Sequence, residues 1–219
     1  METPLTDEIA RFKSWAVDHE GSSGEWECDY EEWRALYAAV EATFAKFASE
    51  PPDDATKDLL LYAIARDNEC GRLINTLVEY PGLLRSLARH ATDYPDWNAR
   101  WQIAVILSEA KLPESPDLIR AFLTDEEEYV RRRSLMEFAK FCPDEAEALA
   151  ISGMDEEFEY TRIAALHVLF RVNSDRLSYF LERHENDPNE YVRKNVTDLK
   201  AKRAEQDAPK QPVTRSGLE

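Results

Sequence analysis

An all-α solenoid of stacked helix pairs is predicted by three observations. A short segment recurs every 31 residues, helix-start signals stand between its copies, and no stretch shows sustained period-2 alternation. Glu128-Tyr129-Val130-Arg131, Glu159-Tyr160-Thr161-Arg162 and Glu190-Tyr191-Val192-Arg193 share a register, and Arg100 stands a further 31 residues upstream. Asp125, Glu156 and Asp187 precede three of these arginines by six positions, with Tyr94 at the fourth; Ala104, Leu135 and Leu166 follow by four. Between the arginine segments, 81–90, 116–123, 143–151 and 175–184 read as shorter amphipathic helices opened by proline, serine or aspartate. Each unit therefore predicts a helix A, a turn, and a helix B that begins at the Glu-Tyr-Val-Arg segment. One such pair cannot bury its apolar stripe, whereas stacked pairs share a continuous core.

Residues 1–60 depart from the period and predict a helical N-terminal cap ahead of repeats over 61–200, with a flexible tail over 201–219. Ile9, Phe12 and Trp15 give a helix over 6–17, and Gly21-Ser22-Ser23-Gly24 predicts a loop. Asp29 with Glu32 has capping-box spacing and opens a second helix through Trp33, Leu36, Tyr37, Val40 and Phe44, which Pro51-Pro52 ends. Arg72 reads as a degenerate earlier copy of the arginine column. Beyond residue 200 the apolar periodicity is lost.

The segment Asp187-Pro188-Asn189-Glu190-Tyr191-Val192-Arg193, with the similar Asp125 to Arg131, resembles the HEAT repeat, in the short form found in phycobilisome-lyase-like proteins. The resemblance covers about 65–200 and implies a right-handed ARM/HEAT superhelix. It also implies that the acid of the inter-helix turn and the arginine of helix B pair within and between repeats. Arg100, Arg131, Arg162 and Arg193 with Asp125, Glu156 and Asp187 are accordingly expected to form a structural ladder. Repeats of this kind serve unrelated roles, so the resemblance fixes no activity.

Charge narrows the partners. Asp and Glu number 44 against 27 Lys and Arg, a formal net charge of −17, so phosphate backbones and anionic membranes are repelled and a basic protein partner is favoured. The excess is concentrated in residues 1–60, with 15 acids against 5 bases. Cys28, Cys70 and Cys142 lack CxxC spacing, the N-terminal segment has no signal-peptide pattern, and no apolar run is long enough to span a bilayer; a cytoplasmic location is expected.

No catalytic residue, metal site or cofactor is expected. The four histidines fall in different units without HxxxH spacing, and six glycines supply no phosphate-cradling loop. Partner-binding candidates are aromatic. Trp26, Tyr30 and Trp33 lie among acids in the cap, where they anchor a partner; the alternative is that Trp26 and Trp33 only seal the end of the first repeat. Trp97 and Trp101 stand four apart on one helix face, as core or anchor. Tyr129, Tyr160 and Tyr191 recur in register, with packing between helix pairs favoured over outward exposure.

These features predict a non-catalytic protein-binding scaffold that is a monomer, and within that class an acidic immunity or inhibitor protein neutralising a basic toxin or nuclease. The alternative is a nucleic-acid enzyme: bacterial alkylpurine DNA glycosylases are HEAT-like proteins with aromatic and acidic residues on the concave face, parts that Trp97, Trp101 and Asp96 could take. Such proteins need a basic face, and Arg131-Arg132-Arg133 is too local to supply one. A further alternative is a chromophore-lyase or chaperone-like subunit.

Overall fold

The computed structural model describes residues 4–19 and 26–207. Among them are twelve α-helices and no strands, so the all-α, solenoid-type expectation holds. Two compact units divide the chain, Met1–Ala146 and Glu147–Glu219.

In the first unit, α1 (Leu5–Ala16) and α2 (Trp33–Lys46), separated by a 3-10 turn at Trp26–Asp29, pack on each other and on α3 (Asp54–Arg66). The helices of residues 1–60 thus share a unit with those that follow. The Asp29 and Glu32 capping box is not formed: Asp29 ends the 3-10 turn, and α2 starts at Trp33 with Glu32 at its cap position and no side-chain cap. Asp53 does cap α3, accepting from the Thr56 N–H at 2.9 Å. The Gly21-Ser22-Ser23-Gly24 loop lies outside the described residues.

After α4 (Arg72–Leu77) the pairs begin: α5 (Pro81–Ala91) with α6 (Trp97–Ala110), then α7 (Ser115–Arg120), a 3-10 turn at Ala121–Thr124, and α8 (Glu128–Phe138). α6 packs against α3 on one side and α8 on the other, with α5 and α7 also on it. That position explains its composition, since Ile103, Ala104, Ile106 and Leu107 are all fully buried and apolar residues cover more than one face. Pro81 and Pro116 sit in first turns, where a missing N–H costs no helical bond.

Helix α9 (Pro143–Gly153) carries the division between the units. In the second, α10 (Glu159–Arg171) packs against α11 (Leu177–Arg183) and α12 (Glu190–Asp207). Leu166, Leu169, Phe180, Val192 and Val196 are buried there. Helix α12 continues to Asp207, into the stretch read as a flexible tail, and 208–219 lie outside the described residues.

Candidate binding surface

Each column arginine is the fourth residue of its B helix. Helical side chains lean toward the helix N-terminus, so the guanidinium folds back over the preceding turn. There Nη1 donates to two carbonyls of the same repeat: Arg100 to Tyr94 O (2.7 Å) and Pro95 O (3.4 Å), Arg131 to Asp125 O (2.7 Å) and Glu126 O (2.8 Å). Arg162 binds Glu156 O (2.8 Å) and Glu157 O (2.7 Å), and Arg193 binds Asp187 O (2.7 Å) and Pro188 O (3.0 Å). A carbonyl needs no particular side chain, which is why Tyr94 serves where the other repeats have acids.

The carboxylate comes from the next turn, 25 residues on. Arg162 donates from Nε and Nη2 to Asp187 at 3.0 and 2.9 Å, and Arg100 Nη2 donates to Asp125 Oδ1 at 3.0 Å. Both arginines are buried, so these are charge-assisted bonds with little screening. Asp125 and Asp187 also accept the backbone N–H two residues on, from Glu127 (2.8 Å) and Asn189 (2.9 Å), which locks the turn. The side chain of Glu156 is exposed and its carbonyl does the work within the repeat. Arg72, unlike the column, pairs with Glu41 at 2.8 Å over the Tyr37 ring.

Burial pushes the Asp187 carboxyl up, but bonds from Arg162, His184 and the Asn189 N–H outweigh it and hold it below the usual range. A depressed native carboxylate contributes stability that is whole above the unfolded pKa of about 4 and lost as pH falls through the native one. Asp187→Asn should therefore flatten the acid limb of stability against pH below about pH 4. Urea midpoints between about pH 2.5 and 6 check this; an unchanged acid limb refutes it.

The aromatic candidates separate. Tyr30 is only 5% exposed, which corrects its reading as a partner contact. It lies 4.7 Å edge-on to Phe12, whose ring also meets Trp15, Trp26 and Trp33 at 5.5, 6.2 and 5.4 Å. Trp33 spends its indole N–H on Glu27 O at 2.8 Å. Trp26 and Trp33 are half-buried members of that cluster, so the cap aromatics build a small core. Phe12 on the buried face of α1 is the residue they need as a centre.

Trp101 and Tyr129 are likewise packed: Tyr129 lies 5.4 Å from Trp97 and 5.5 Å from Trp101. Arg132 covers the Tyr129 ring at 4.4 Å and Arg133 the Trp101 ring at 5.3 Å. With Arg131 on its turn carbonyls, all three arginines of the triplet are turned onto their own protein. Asp96 caps α6 through the Asn98 N–H and pairs with Arg66.

Tyr160 and Tyr191, expected to pack, are 38% and 52% exposed. For Tyr191 the difference from Tyr129 lies in the neighbouring helix. Where α6 offers Trp97 and Trp101, the same register positions of α10 carry Glu159 and Ile163. Phe158, at the cap position of α10 and 5.8 Å from Tyr160, is 48% exposed and was not singled out by periodicity. Its signal is an apolar residue within the acidic turn Asp155-Glu156-Glu157, all three of them exposed. Among the described residues seven large apolar side chains are exposed, and four of them, Trp97, Phe158, Tyr160 and Tyr191, stand at the N-terminal ends of B helices.

Among the described residues no group of three or more His, Cys, Asp or Glu side chains is arranged to hold a metal ion, and no helix is long and apolar enough to cross a membrane. The stacked helix pairs define a helical-repeat protein. Residues 115–199 match the family model of HEAT repeats. Arrays of this class are in general protein-interaction scaffolds. No curated protein matches the chain, and neither does a solved structure.

Proposed function

We propose that the chain is a non-catalytic binding module whose contact surface is the aromatic and acidic edge at the N-terminal ends of α10 and α12. The observation that carries this reading is the recurrence of exposed aromatics within acidic turns. Phe158, Tyr160 and Tyr191 present large rigid contact area, and Glu156, Glu157 and Glu190 add exposed negative charge in the same segments, while Asp155 pairs with Arg183 at 2.6 Å. Aromatic anchors supply most of the energy of an interface, while rim charges select the partner and speed encounter. A basic protein complements this edge and the net charge of −17. Within that class we read the chain as an acidic inhibitor or immunity protein for a basic toxin or nuclease, a reading supported by charge complementarity.

The test is affinity capture from the native lysate at about 50 and about 500 mM salt, with the Phe158→Ser/Tyr160→Ser/Tyr191→Ser variant beside the wild type. A stoichiometric basic protein, weakened by salt and lost with the triple variant, supports the proposal. A partner retained equally by the variant moves the interface elsewhere, and recovery of nucleic acid overturns the basic-partner reading.

A further inference from the structure

The first unit contains a cavity of about 140 Å³ between the Trp26–Asp29 turn, α2 and the turn that follows α3. Pockets for cofactors or drug-sized ligands run to roughly 300–1,000 Å³. This one is closer to the ~150 Å³ engineered cavity that holds a single benzene. It has room for one side chain.

Its chemistry is one-sided. Trp33 and Tyr37 stack at 5.1 Å with planes 23° apart, giving a flat aromatic wall. Two carboxylates, Glu27 and Asp67, line the space, with Glu69 on its exposed side, and among the described residues of the lining the cation is Arg66. Glu27 and Asp67 are buried. Arg66 is divided between Glu27, at 3.6 Å, and Asp96 outside the cavity. Asp67 receives neutral donors, the Tyr37 hydroxyl at 2.6 Å and the Leu73 N–H at 2.7 Å. The nearby Arg72 lies over the Tyr37 ring and is engaged by Glu41. Burial accordingly pushes the Asp67 carboxyl above the ordinary carboxylate range despite those bonds. Excess negative charge held out of water beside an aromatic face is an arrangement that a cation relieves.

We propose that this cavity receives one lysine side chain of the protein partner, its methylenes against Trp33 and its ammonium between Glu27 and Asp67. Lysine suits the shape because a compact charge on a four-carbon stem enters a narrow space more readily than a planar guanidinium. The site rests on the reading of the chain as a module for a basic partner, but its test uses no partner.

Cys28 and Cys70 line the same cavity and Cys142 does not, so the thiols report occupancy locally. The full-length protein is treated with a maleimide in n-butylammonium chloride, in sodium chloride at equal ionic strength, or in 1-butanol, and the modification rate at each cysteine is read by peptide mass spectrometry. The expected result is saturable slowing at Cys28 and Cys70 by butylammonium, an unchanged rate at Cys142, and no protection by butanol. Glu27→Gln should raise the half-protecting concentration about tenfold, the weight of one charge-assisted bond. Asp67→Asn, also checked for an unchanged urea midpoint, should act in the same direction. Equal protection by butanol, equal slowing at Cys142, or no saturable slowing overturns the proposal. If protection fails while the triple variant at Phe158, Tyr160 and Tyr191 still loses the partner, the cavity site falls and the binding reading stands.

Discussion

Asp187→Ala should lower the unfolding free energy of the structure around α10 to α12 by about 3–5 kcal/mol, the scale for removing one partner of a buried ion pair. The loss is large because Arg162 keeps its charge, remains buried, and retains only the carbonyls of Glu156 and Glu157. The His184 ring nitrogen and the Asn189 N–H lose their acceptor as well. Glu185→Ala, two residues away on the surface and paired with Lys200 at 3.2 Å, should change stability by no more than about 0.5 kcal/mol. Urea unfolding followed by circular dichroism compares the two. Equal, small effects would mean that the arginine column is not what orders the turns.

Phe12→Ala is expected to cost about 3–5 kcal/mol, the usual range for deleting a fully buried aromatic ring. Phe12 has no solvent exposure, and five aromatic rings, those of Trp15, Trp26, Tyr30, Trp33 and Tyr62, meet it within 6.2 Å. Removing it leaves a hole that these rigid side chains cannot refill. The near-ultraviolet dichroism of the tryptophans should weaken with the same variant. Were Trp26 and Trp33 anchors carried on an otherwise self-sufficient frame, Phe12→Ala would leave both stability and dichroism nearly unchanged.

Most of the fold was legible because a repeat multiplies a weak local signal. The 31-residue register placed every B helix at its arginine, and the proline, serine and aspartate starts placed α5, α7, α9 and α11. Pairing of an arginine with an acid 25 residues on was likewise implicit in a period of 31 and an offset of six. What the sequence left hidden was orientation. Trp26, Tyr30 and Trp33 stand among acids, a composition that suits a wet surface, yet their rings converge on Phe12 because α1 crosses them. The tyrosine column looked uniform, but its exposure is set by residues on the neighbouring helix, tryptophans beside Tyr129 and Glu159 with Ile163 beside Tyr191. Phe158 escaped notice because a single apolar residue in a turn belongs to no helical stripe. The cavity beside Trp33 depends on contacts between segments some 35 residues apart, which no periodicity encodes.

The central claim is that the arginines hold the turns in place while the exposed aromatics at the same turns make the contact. It is tested most directly by measuring stability and partner binding together on Phe158→Ser/Tyr160→Ser/Tyr191→Ser. The account predicts unfolding free energy within about 1 kcal/mol of wild type, as for exposed positions, with partner affinity reduced at least about a hundredfold. A variant that unfolds as readily as Asp187→Ala, or that binds the partner as tightly as wild type, would contradict it.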